Sequence, residues 1–312
     1  MAFFLILILL VSLLPCSAQS DALPAGSLPF LSSPPIPTIS KEVEEVGLIL
    51  TVTDKHGRFV KDLNQTDFNI IDNGQAPNRI TYFERQTDLP LRVALVIDTS
   101  DSVTYRFKFE QKAAAIFLKH VLKKKSDLGL VIGFCQEPRL AQAATSDTKL
   151  LANGLKRLHP GGETAVYDAV TLAARELSSI HDLQPTRHAI IVITDGEDNR
   201  SHVNLQQVVA SALKAEAVVY VVSTNISGAG LDLAEQGDAA MRQLSEATGG
   251  RLLRSDTDGD VTSAFGKIAK ELRSQYALGY KPTPGEDGMF HRLVVLAPRK
   301  LRVFHRLGYF AR

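Results

Sequence analysis

The sequence predicts an α/β fold: a doubly wound, mostly parallel sheet with helices on both faces, inserted into a small sandwich-like all-β module. Two observations predict it. Strand patterns alternate with helical patterns over residues 89–273, which is typical of a parallel sheet covered on both faces. Residues 41–88 and 274–312 contain only short strands and turns, and neither segment has enough strands to enclose a core. We therefore expect both ends of the chain to build one module together.

The first residues are expected to form a secretory signal peptide, residues 1–18, outside the fold. Residues 2–14 are almost entirely apolar, and Cys16 and Ala18 provide the small side chains that precede a cleavage point. The run is too short for a spanning helix. Because no Lys or Arg precedes it, an uncleaved anchor stays open as an alternative, as does lipidation at Cys16. Residues 19–40 hold five prolines and are predicted to be a linker.

The two flanking segments show the alternation and turn residues of β-strands. Strands are predicted at 46–53, 68–71 and 80–83 on the N-terminal side, and at 276–280, 290–296 and 301–304 on the C-terminal side. Domains tolerate insertions where their own termini lie close together. The two flanks therefore predict a split β module, 41–88 plus 274–312, around a central domain at 89–273.

Continuous apolar strands and amphipathic helices alternate in the central segment. The predicted strands are 91–97, 128–134, 188–194, 217–223 and 250–253, and the predicted helices are 107–122, 165–180, 205–215, 233–248 and 261–272. Strands that are apolar throughout are typical of a sheet buried on both faces. Lys123 to Lys125 follow the first helix, where cations are favourable, so we interpret them as a solvated helix end.

The composition excludes several classes of protein. Lys and Arg number 35 against 34 Asp and Glu, so the net charge of +1 provides no general attraction for nucleic acid. Two cysteines cannot make a disulfide framework, and we expect Cys135 to be a buried core thiol. The sequence has no nucleophile elbow, phosphate-binding loop or dinucleotide-binding glycine pattern, and no histidine pair with metal-ligand spacing.

Oxygen-bearing side chains follow two of the predicted strands and precede one helix. Asp98, Ser100 and Ser102 follow the first central strand, Asp195 follows the strand at 188–194, and Thr164 precedes the helix at 165–180. Ligands in doubly wound folds bind beyond the carboxyl ends of the strands, and hard oxygen donors suit Mg²⁺. The Asp98–Ser102 loop alone is also typical of a helix cap or turn. The three loops together predict a divalent-metal site with one open position.

Two further acidic segments have simpler interpretations. Asp256 to Asp260 are similar to a calcium loop but lack its turn glycine and bidentate glutamate, so we predict an N-terminal cap for the helix at 261–272. Glu197 and Asp198 are expected to be solvated loop residues.

The central segment resembles the von Willebrand factor A domain over about residues 89–273. That family carries a metal-ion-dependent adhesion site with a D-x-S-x-S loop, a distant Thr and a distant Asp, matched here by Asp98, Ser100, Ser102, Thr164 and Asp195. The flanks resemble the secreted von Willebrand A-related proteins of acidobacteria. The segments that carry this second resemblance are Val52 to Gly57, Asp67-Phe68, Tyr82-Phe83, Gln275 to Tyr280 and Leu307 to Phe310.

The resemblance implies a non-enzymatic adhesion protein, secreted or associated with the cell envelope, in the periplasm or at the cell surface. A bound Mg²⁺, Mn²⁺ or Ca²⁺ would accept an Asp or Glu side chain from a protein partner. No nucleic-acid partner and no small-molecule substrate are expected. A metal-dependent hydrolase is one alternative, but it needs a general base and no histidine falls near the motif loops; His202, beyond the Asp195 loop, is the nearest in sequence. A structural envelope scaffold is the other.

Overall fold

The computed structural model describes residues 45–311 except 78, 86–88, 124, 226–230, 283–287 and 299. These described residues belong to one compact unit. The predicted signal peptide (1–18) and linker (19–40) lie outside them. None of the helices in the described ranges is long and apolar enough to cross a membrane.

The described part of the chain contains strands at both ends and alternating strands and helices between them. The strands are β1 (Val46–Thr53), β2 (Asn69–Asp72), β3 (Arg79–Glu84), β4 (Leu91–Asp98), β5 (Leu128–Phe134), β6 (Pro138–Thr145), β7 (Arg187–Thr194), β8 (Ala217–Ser223), β9 (Leu252–Arg254), β10 (Tyr276–Lys281), β11 (Phe290–Leu296), β12 (Arg302–Phe304) and β13 (Gly308–Phe310). The α-helices are α1 (Phe107–Val121), α2 (Thr148–Lys156), α3 (Val166–Ser178), α4 (Leu205–Lys214), α5 (Leu231–Ala247) and α6 (Asp258–Leu272).

The central domain is built on a six-stranded sheet in the order β6-β5-β4-β7-β8-β9. All neighbouring strands are parallel except β6, which pairs antiparallel with β5 at one edge. Successive side chains of a strand point to opposite faces. Leu95 and Ile97 therefore pack with α1 and α6, whereas Ala94 and Val96 pack with α3 and α4. The predicted fold class is confirmed: burial on both faces explains why these strands are mostly apolar between their ends.

The edge strand β6 and the helix α2 were not predicted from the sequence. No residue of β6 is fully buried and its partly buried positions do not alternate, so its alternation of apolar and polar residues is weak, and Pro138 occupies its first position, where proline is tolerated. The α2 helix has nine residues and begins at the N-cap Asp147, whose side chain accepts hydrogen bonds from the amides of Lys149 and Leu150. Short elements at a sheet edge provide few positions in which a period can be recognised.

The flanking segments form two antiparallel sheets, in the orders β12-β1-β10-β3 and β13-β11-β2. Each sheet combines strands from both flanks: β1 pairs with β10 and β12, and β2 pairs with β11. Inward-facing side chains of the two sheets share one apolar core that includes Leu48, Leu50, Tyr276 and Leu293. Neither flank contains all the strands of either sheet, so the two segments depend on each other for this core.

An ion pair between Arg251 and Glu271 lies where the central domain meets the flanking strands. The Arg251 guanidinium also lies over the rings of Phe59 and Phe304, at 5.8 and 5.2 Å from their centroids. Burial raises the pKa of Glu271, and the positive charge of Arg251 opposes that rise. The contact joins α6 and the residue that precedes β9 to aromatic residues of both flanks.

Two sequence expectations at element ends have different outcomes. The cap before α6 is confirmed: Thr257 is the N-cap, and the Thr257 and Asp260 side chains form a reciprocal capping box, so the helix begins at Asp258. The expectation of a buried Cys135 is wrong, because this thiol is only half-buried. The strand β5 ends at Phe134, so Cys135 lies at the carboxyl edge of the sheet instead of in its core.

Candidate functional site

The first site loop leaves the end of β4 and is anchored to the neighbouring strand. The backbone amide and the hydroxyl of Thr99 both donate hydrogen bonds to the carbonyl of Phe134, at 2.8 and 2.9 Å. Asp98 is fully buried, and its Oδ1 accepts a 2.8 Å hydrogen bond from the Ser100 amide. The loop is thereby closed tightly around the Asp98 carboxylate.

The two serines of this loop lie side by side. Ser100 Oγ and Ser102 Oγ are 3.0 Å apart, and Ser100 is buried whereas Ser102 is exposed. Residues 101–103 form a single 3-10 turn, which brings Ser102 back toward Ser100. The loop therefore presents a carboxylate and two hydroxyls within a few residues.

The Thr164 loop is hydrogen-bonded to both of the other site loops. Gly161 donates its amide to the Thr99 carbonyl, and the Gly162 carbonyl accepts from the Asp101 amide at 3.0 Å. The Thr164 amide donates to Asn199 Oδ1 at 2.9 Å, in the segment after Asp195. Gly162 has a φ of +98°, a conformation that L side chains rarely adopt. The Gly161-Gly162 pair thus allows Thr164 to lie between the Asp98 and Asp195 segments.

The third loop begins at the end of β7. The Thr194 hydroxyl donates a 2.7 Å hydrogen bond to Asp98 Oδ2, which links the ends of β7 and β4 directly. Asp195 follows, and then Gly196 turns the chain with a φ of +87°. A Cβ on Gly196 would lie 3.0 Å from the backbone of Gly237 on α5, so this turn packs closely against that helix.

The two carboxylates of the site repel each other. Burial and, second, the nearby charge of Asp195 together raise the pKa of Asp98 to about 6, although hydrogen bonds from Thr194 and Ser100 oppose the rise. Asp195 Oδ1 is buried and has no hydrogen-bond partner among the residues that the structure describes. A buried carboxylate oxygen without a donor is costly, and a bound cation would relieve both the repulsion and this deficit.

The donor set fits a hard divalent cation. Asp98 and Asp195 supply two carboxylates, and Ser100, Ser102 and Thr164 supply hydroxyls, all oxygen ligands of the kind that Mg²⁺ and Ca²⁺ accept. Within the described ranges, no group of three or more His, Cys, Asp or Glu side chains could hold a metal ion. The softer ligand sets typical of zinc are thus not found there, and a metal at this site would depend largely on neutral oxygens.

Side chains after Asp195 cap the helix α3, contrary to the expectation that Asp198 is solvated. Asp198 Oδ2 accepts a 3.0 Å hydrogen bond from the Tyr167 amide, and Asp168 accepts from the amide and the ring Nδ1 of His202. His202 is held on the outside of this segment by the Asp168 carboxylate, with its own side chain 85% exposed. The position of His202 therefore gives no support to the alternative of a hydrolase that uses this histidine as its base.

Sequence reasoning missed two residues that organise the site. Thr194 was treated as the end of a strand, yet its hydroxyl binds the central carboxylate. Arg106 is buried and donates hydrogen bonds to the carbonyls of Thr224 and Ser255, at 3.1 and 3.2 Å, which ties the loop after Ser102 to the ends of β8 and β9. Neither residue has a sequence signal, because both act through contacts more than 90 positions away.

Residues 93–197 match the family model described as the von Willebrand factor type A domain. The matched segment begins in β4 and includes all five predicted site residues, so the chain contains a domain of this type. The match does not extend into the flanks, and the resemblance to acidobacterial proteins stays a prediction. None of the curated proteins matches the sequence.

Several solved structures are similar to this chain. The conserved hypothetical protein BatB from Bacteroides thetaiotaomicron is 19% identical with a TM-score of 0.48, covering 59% of this chain and 100% of that one. A von Willebrand factor type A structure from Catenulispora acidiphila is 13% identical with a TM-score of 0.49, covering 77% and 73%. The pilus adhesin SpaC from Lactobacillus rhamnosus GG is 9% identical with a TM-score of 0.50, covering 83% of this chain and 49% of that one. At this identity the SpaC match shows a shared fold.

Proposed function

We propose that this chain, which contains a von Willebrand factor type A domain, is a non-enzymatic binding protein that uses a divalent cation to hold an acidic side chain of a protein partner. The site would consist of Asp98, Ser100, Ser102, Thr164 and Asp195. The observation that carries the proposal is the pairing of two carboxylates at the sheet edge, one of which has a buried oxygen without a donor in the described part of the chain. Mg²⁺ is the expected ion, with Mn²⁺ or Ca²⁺ as alternatives.

The coordination of the site leaves room for an acidic partner. Two carboxylates would balance the charge of a divalent cation, and with three hydroxyls they would fill about five of the six positions of an octahedral ion, so one position would accept a further carboxylate oxygen. The chain itself contributes the fixed arrangement: Thr194 and the Ser100 amide hold Asp98 in place, and Asn199 holds the Thr164 backbone. Because these hydrogen bonds already restrain the site loops, we expect binding to cost little conformational entropy.

A binding role is also consistent with the fold, because the pilus adhesin SpaC shares it. We extend to this protein a location outside the cytoplasm, in the periplasm or at the cell surface, together with association with the envelope. Intact-mass analysis of the exported protein tests the location. A mass that begins after Ala18 supports cleavage and export, whereas a cytoplasmic protein that retains Met1 would contradict both.

The metal site is tested by thermal unfolding with and without Mg²⁺. Asp98→Asn removes the central charge and preserves side-chain shape, and Asp101→Asn is the matched control, because Asp101 is an exposed carboxylate in the same loop outside the proposed ligand set. At a hundredfold excess of Mg²⁺ over its dissociation constant, the free energy of unfolding should rise by about 2.7 kcal/mol. That rise should persist in Asp101→Asn and disappear in Asp98→Asn. Equal shifts in all three proteins would overturn the site.

The partner is tested by capture from envelope extracts on the immobilised protein. Partner binding should require Mg²⁺, disappear with chelator, and be lost in Asp98→Asn but retained in Asp101→Asn. Binding that survives chelation would contradict metal-dependent recognition even if the metal site itself is correct. Turnover of generic ester or phosphate substrates that depends on Mg²⁺ and on Asp98 would instead favour the hydrolase alternative.

A further inference from the structure

A second charged surface lies at the other end of the central domain. A groove of about 320 Å³ lies between the segment after β1 and the C-terminal ends of α1 and α6. Its lining includes Phe59, Lys61, His120, Lys123, Lys270 and Arg273. Arg273 binds Asp127, and Asp127 in turn accepts a hydrogen bond from the amide of Leu91, the first residue of β4. The groove is therefore at the start of the strand that ends at Asp98.

The two surfaces are well separated. The strand β4 runs from Leu91 to Asp98, and seven residue steps of a strand span about 23 Å. The carboxyl edge of the sheet carries the Asp98 and Asp195 carboxylates, whereas the opposite edge carries the basic groove. A ligand in the groove would not contact the proposed metal site.

The groove concentrates positive charge in a protein that has a net charge of only +1. No carboxylate occurs among the described residues that line it. One of its cations, Arg273, is paired with the buried Asp127 at 2.9 Å. Lys61, Lys123 and Lys270 are exposed and form no ion pair with any carboxylate that the structure describes. These three ammonium groups thus have no ion-pair partner among the described residues.

The ends of two helices explain only part of this cluster. The C-terminus of a helix has a partial negative charge of about one half, which favours cations such as Lys123 near α1 and Lys270 on α6. Lys61 belongs to neither helix and reaches the same groove from the flanking β module. The two partial negative charges of the helix ends are too small to balance the charges of three lysines. The helix ends therefore do not explain why all three lysines lie at this groove.

Arg273 and Phe59 add directional features to the groove. One terminal nitrogen of Arg273 donates to the Val121 carbonyl at 2.5 Å, while its Nε is buried and has no hydrogen-bond partner within the described ranges. The Phe59 ring provides an apolar wall, supported on the domain side by the guanidinium of Arg251. The groove thus combines ammonium groups, a guanidinium donor and an aromatic surface.

We propose that this groove binds a small polyvalent oxyanion, in the chemical class of phosphate or sulfate esters. Lysines attract phosphate as point charges, and an arginine adds directed N–H donors. Several cations around a volume of about 320 Å³ suit a compact anion with more than one charge. Phe59 would contact the organic part of such an ester. This site is independent of the proposed metal site.

Calorimetric titration with inorganic tripolyphosphate, in metal-free buffer, tests the proposal. Lys123→Glu and Lys270→Glu should each weaken binding at least tenfold, and affinity should fall as salt rises from about 50 to 200 mM. Lys267→Glu is the matched control. Lys267 lies on α6, as Lys270 does, and is exposed, but it does not line the groove, and its replacement makes the same charge change. It should change affinity less than twofold.

The same titration separates the groove from other sources of binding. Asp98→Asn should bind tripolyphosphate as the wild type does, because it lies at the far edge of the sheet. Inorganic sulfate, titrated in parallel, shows whether the groove prefers phosphate or sulfate. Stronger binding of either anion supports a site for polyvalent oxyanions. Equal losses in the Lys123, Lys267 and Lys270 variants, with circular dichroism unchanged, would show a general charge effect and overturn the site. Absence of binding, or binding of an oligoglutamate peptide in place of both anions, would also overturn it.

Discussion

The Tyr280 hydroxyl donates a 2.8 Å hydrogen bond to Asp72 Oδ2, although 208 positions separate the two residues in sequence. The Tyr309 hydroxyl donates to the same oxygen at 2.9 Å, and His291 Nδ1 lies 3.3 Å from Oδ1. All four side chains are buried. Asp72 comes from the N-terminal flank and its three partners from the C-terminal flank, so this polar cluster joins the two flanks inside their common core.

Replacing Asp72 with Ala should destabilise the β module by about 3 kcal/mol, because two buried tyrosine hydroxyls would lose their acceptor. Denaturant unfolding followed by circular dichroism measures the change. Asp62→Ala, at an exposed position of the same flank, is the control and should change stability by less than about 0.5 kcal/mol. Similar small effects of both substitutions would mean that the cluster contributes little to joining the flanks.

Removal of residues 274–312 should leave β1 without protection from hydrogen exchange. Among the strands of the described structure, β1 pairs only with β10 and β12, both of which this truncation removes. The isolated bridge between Thr53 and Phe59 at the end of β1 would remain. The amides of β4 and β7, which pair within the central sheet, should keep their protection. If Leu48 and Leu50 exchange as slowly in the truncated protein as in the whole chain, the N-terminal strands fold without the C-terminal flank.

The metal-free protein should lose stability as pH rises through 6, because of Asp98. Its pKa is about 6 when folded, against an ordinary value of 3.8, so between these values the folded state retains a proton that the unfolded state has released. The stabilisation is present below about pH 4 and is lost above pH 6, a change on the order of 3 kcal/mol. Melting curves in chelator over this range should show the loss in wild type but not in Asp98→Asn. Identical pH profiles would contradict the raised pKa.

Metal binding should have the opposite dependence on pH, because the ion requires the ionised carboxylate. The Mg²⁺-induced rise in melting temperature should therefore be larger at about pH 7.5 than at about pH 5. Asp101→Asn should show the same trend as wild type. A shift that is independent of pH would indicate that Asp98 is not a ligand.

Two glycine substitutions should have opposite effects although both replace a helical glycine with Ala. Alanine favours a helix over glycine by about 1 kcal/mol, and a Cβ at Gly266 on α6 meets nothing within 4 Å, so Gly266→Ala should raise stability. A Cβ at Gly237 on α5 would lie 2.6 Å from the carbonyl carbon and oxygen of Gly196. Gly237→Ala should therefore lower the melting temperature and, by displacing the turn after Asp195, weaken Mg²⁺ binding. Equal stabilisation by both would mean that this helix does not restrain the turn.

The alternation of strands and helices in the central domain could be predicted because each pattern is local. Residues 93–97 are apolar without interruption, and the helices repeat their apolar side chains at helical spacing, so each element carries its own signal. The edge strand β6 could not be predicted, since none of its residues is fully buried and its partly buried positions do not alternate. Cys135 illustrates the same limit, because a shift of one position at the end of β5 moves a thiol from the core to the sheet edge.

By itself, the sequence determined the order and type of most elements, the segments that flank the central domain, and the five oxygen-bearing residues that define the candidate site. Tertiary structure decided which loops meet: the burial of Asp98, its bond to Thr194, the capping role of Asp198 and the cluster around Asp72 all join residues that are distant along the chain. The physical reason is that hydrophobic periodicity depends on neighbouring residues, whereas burial, charge repulsion and the satisfaction of polar groups depend on side chains that only the folded sheets bring together.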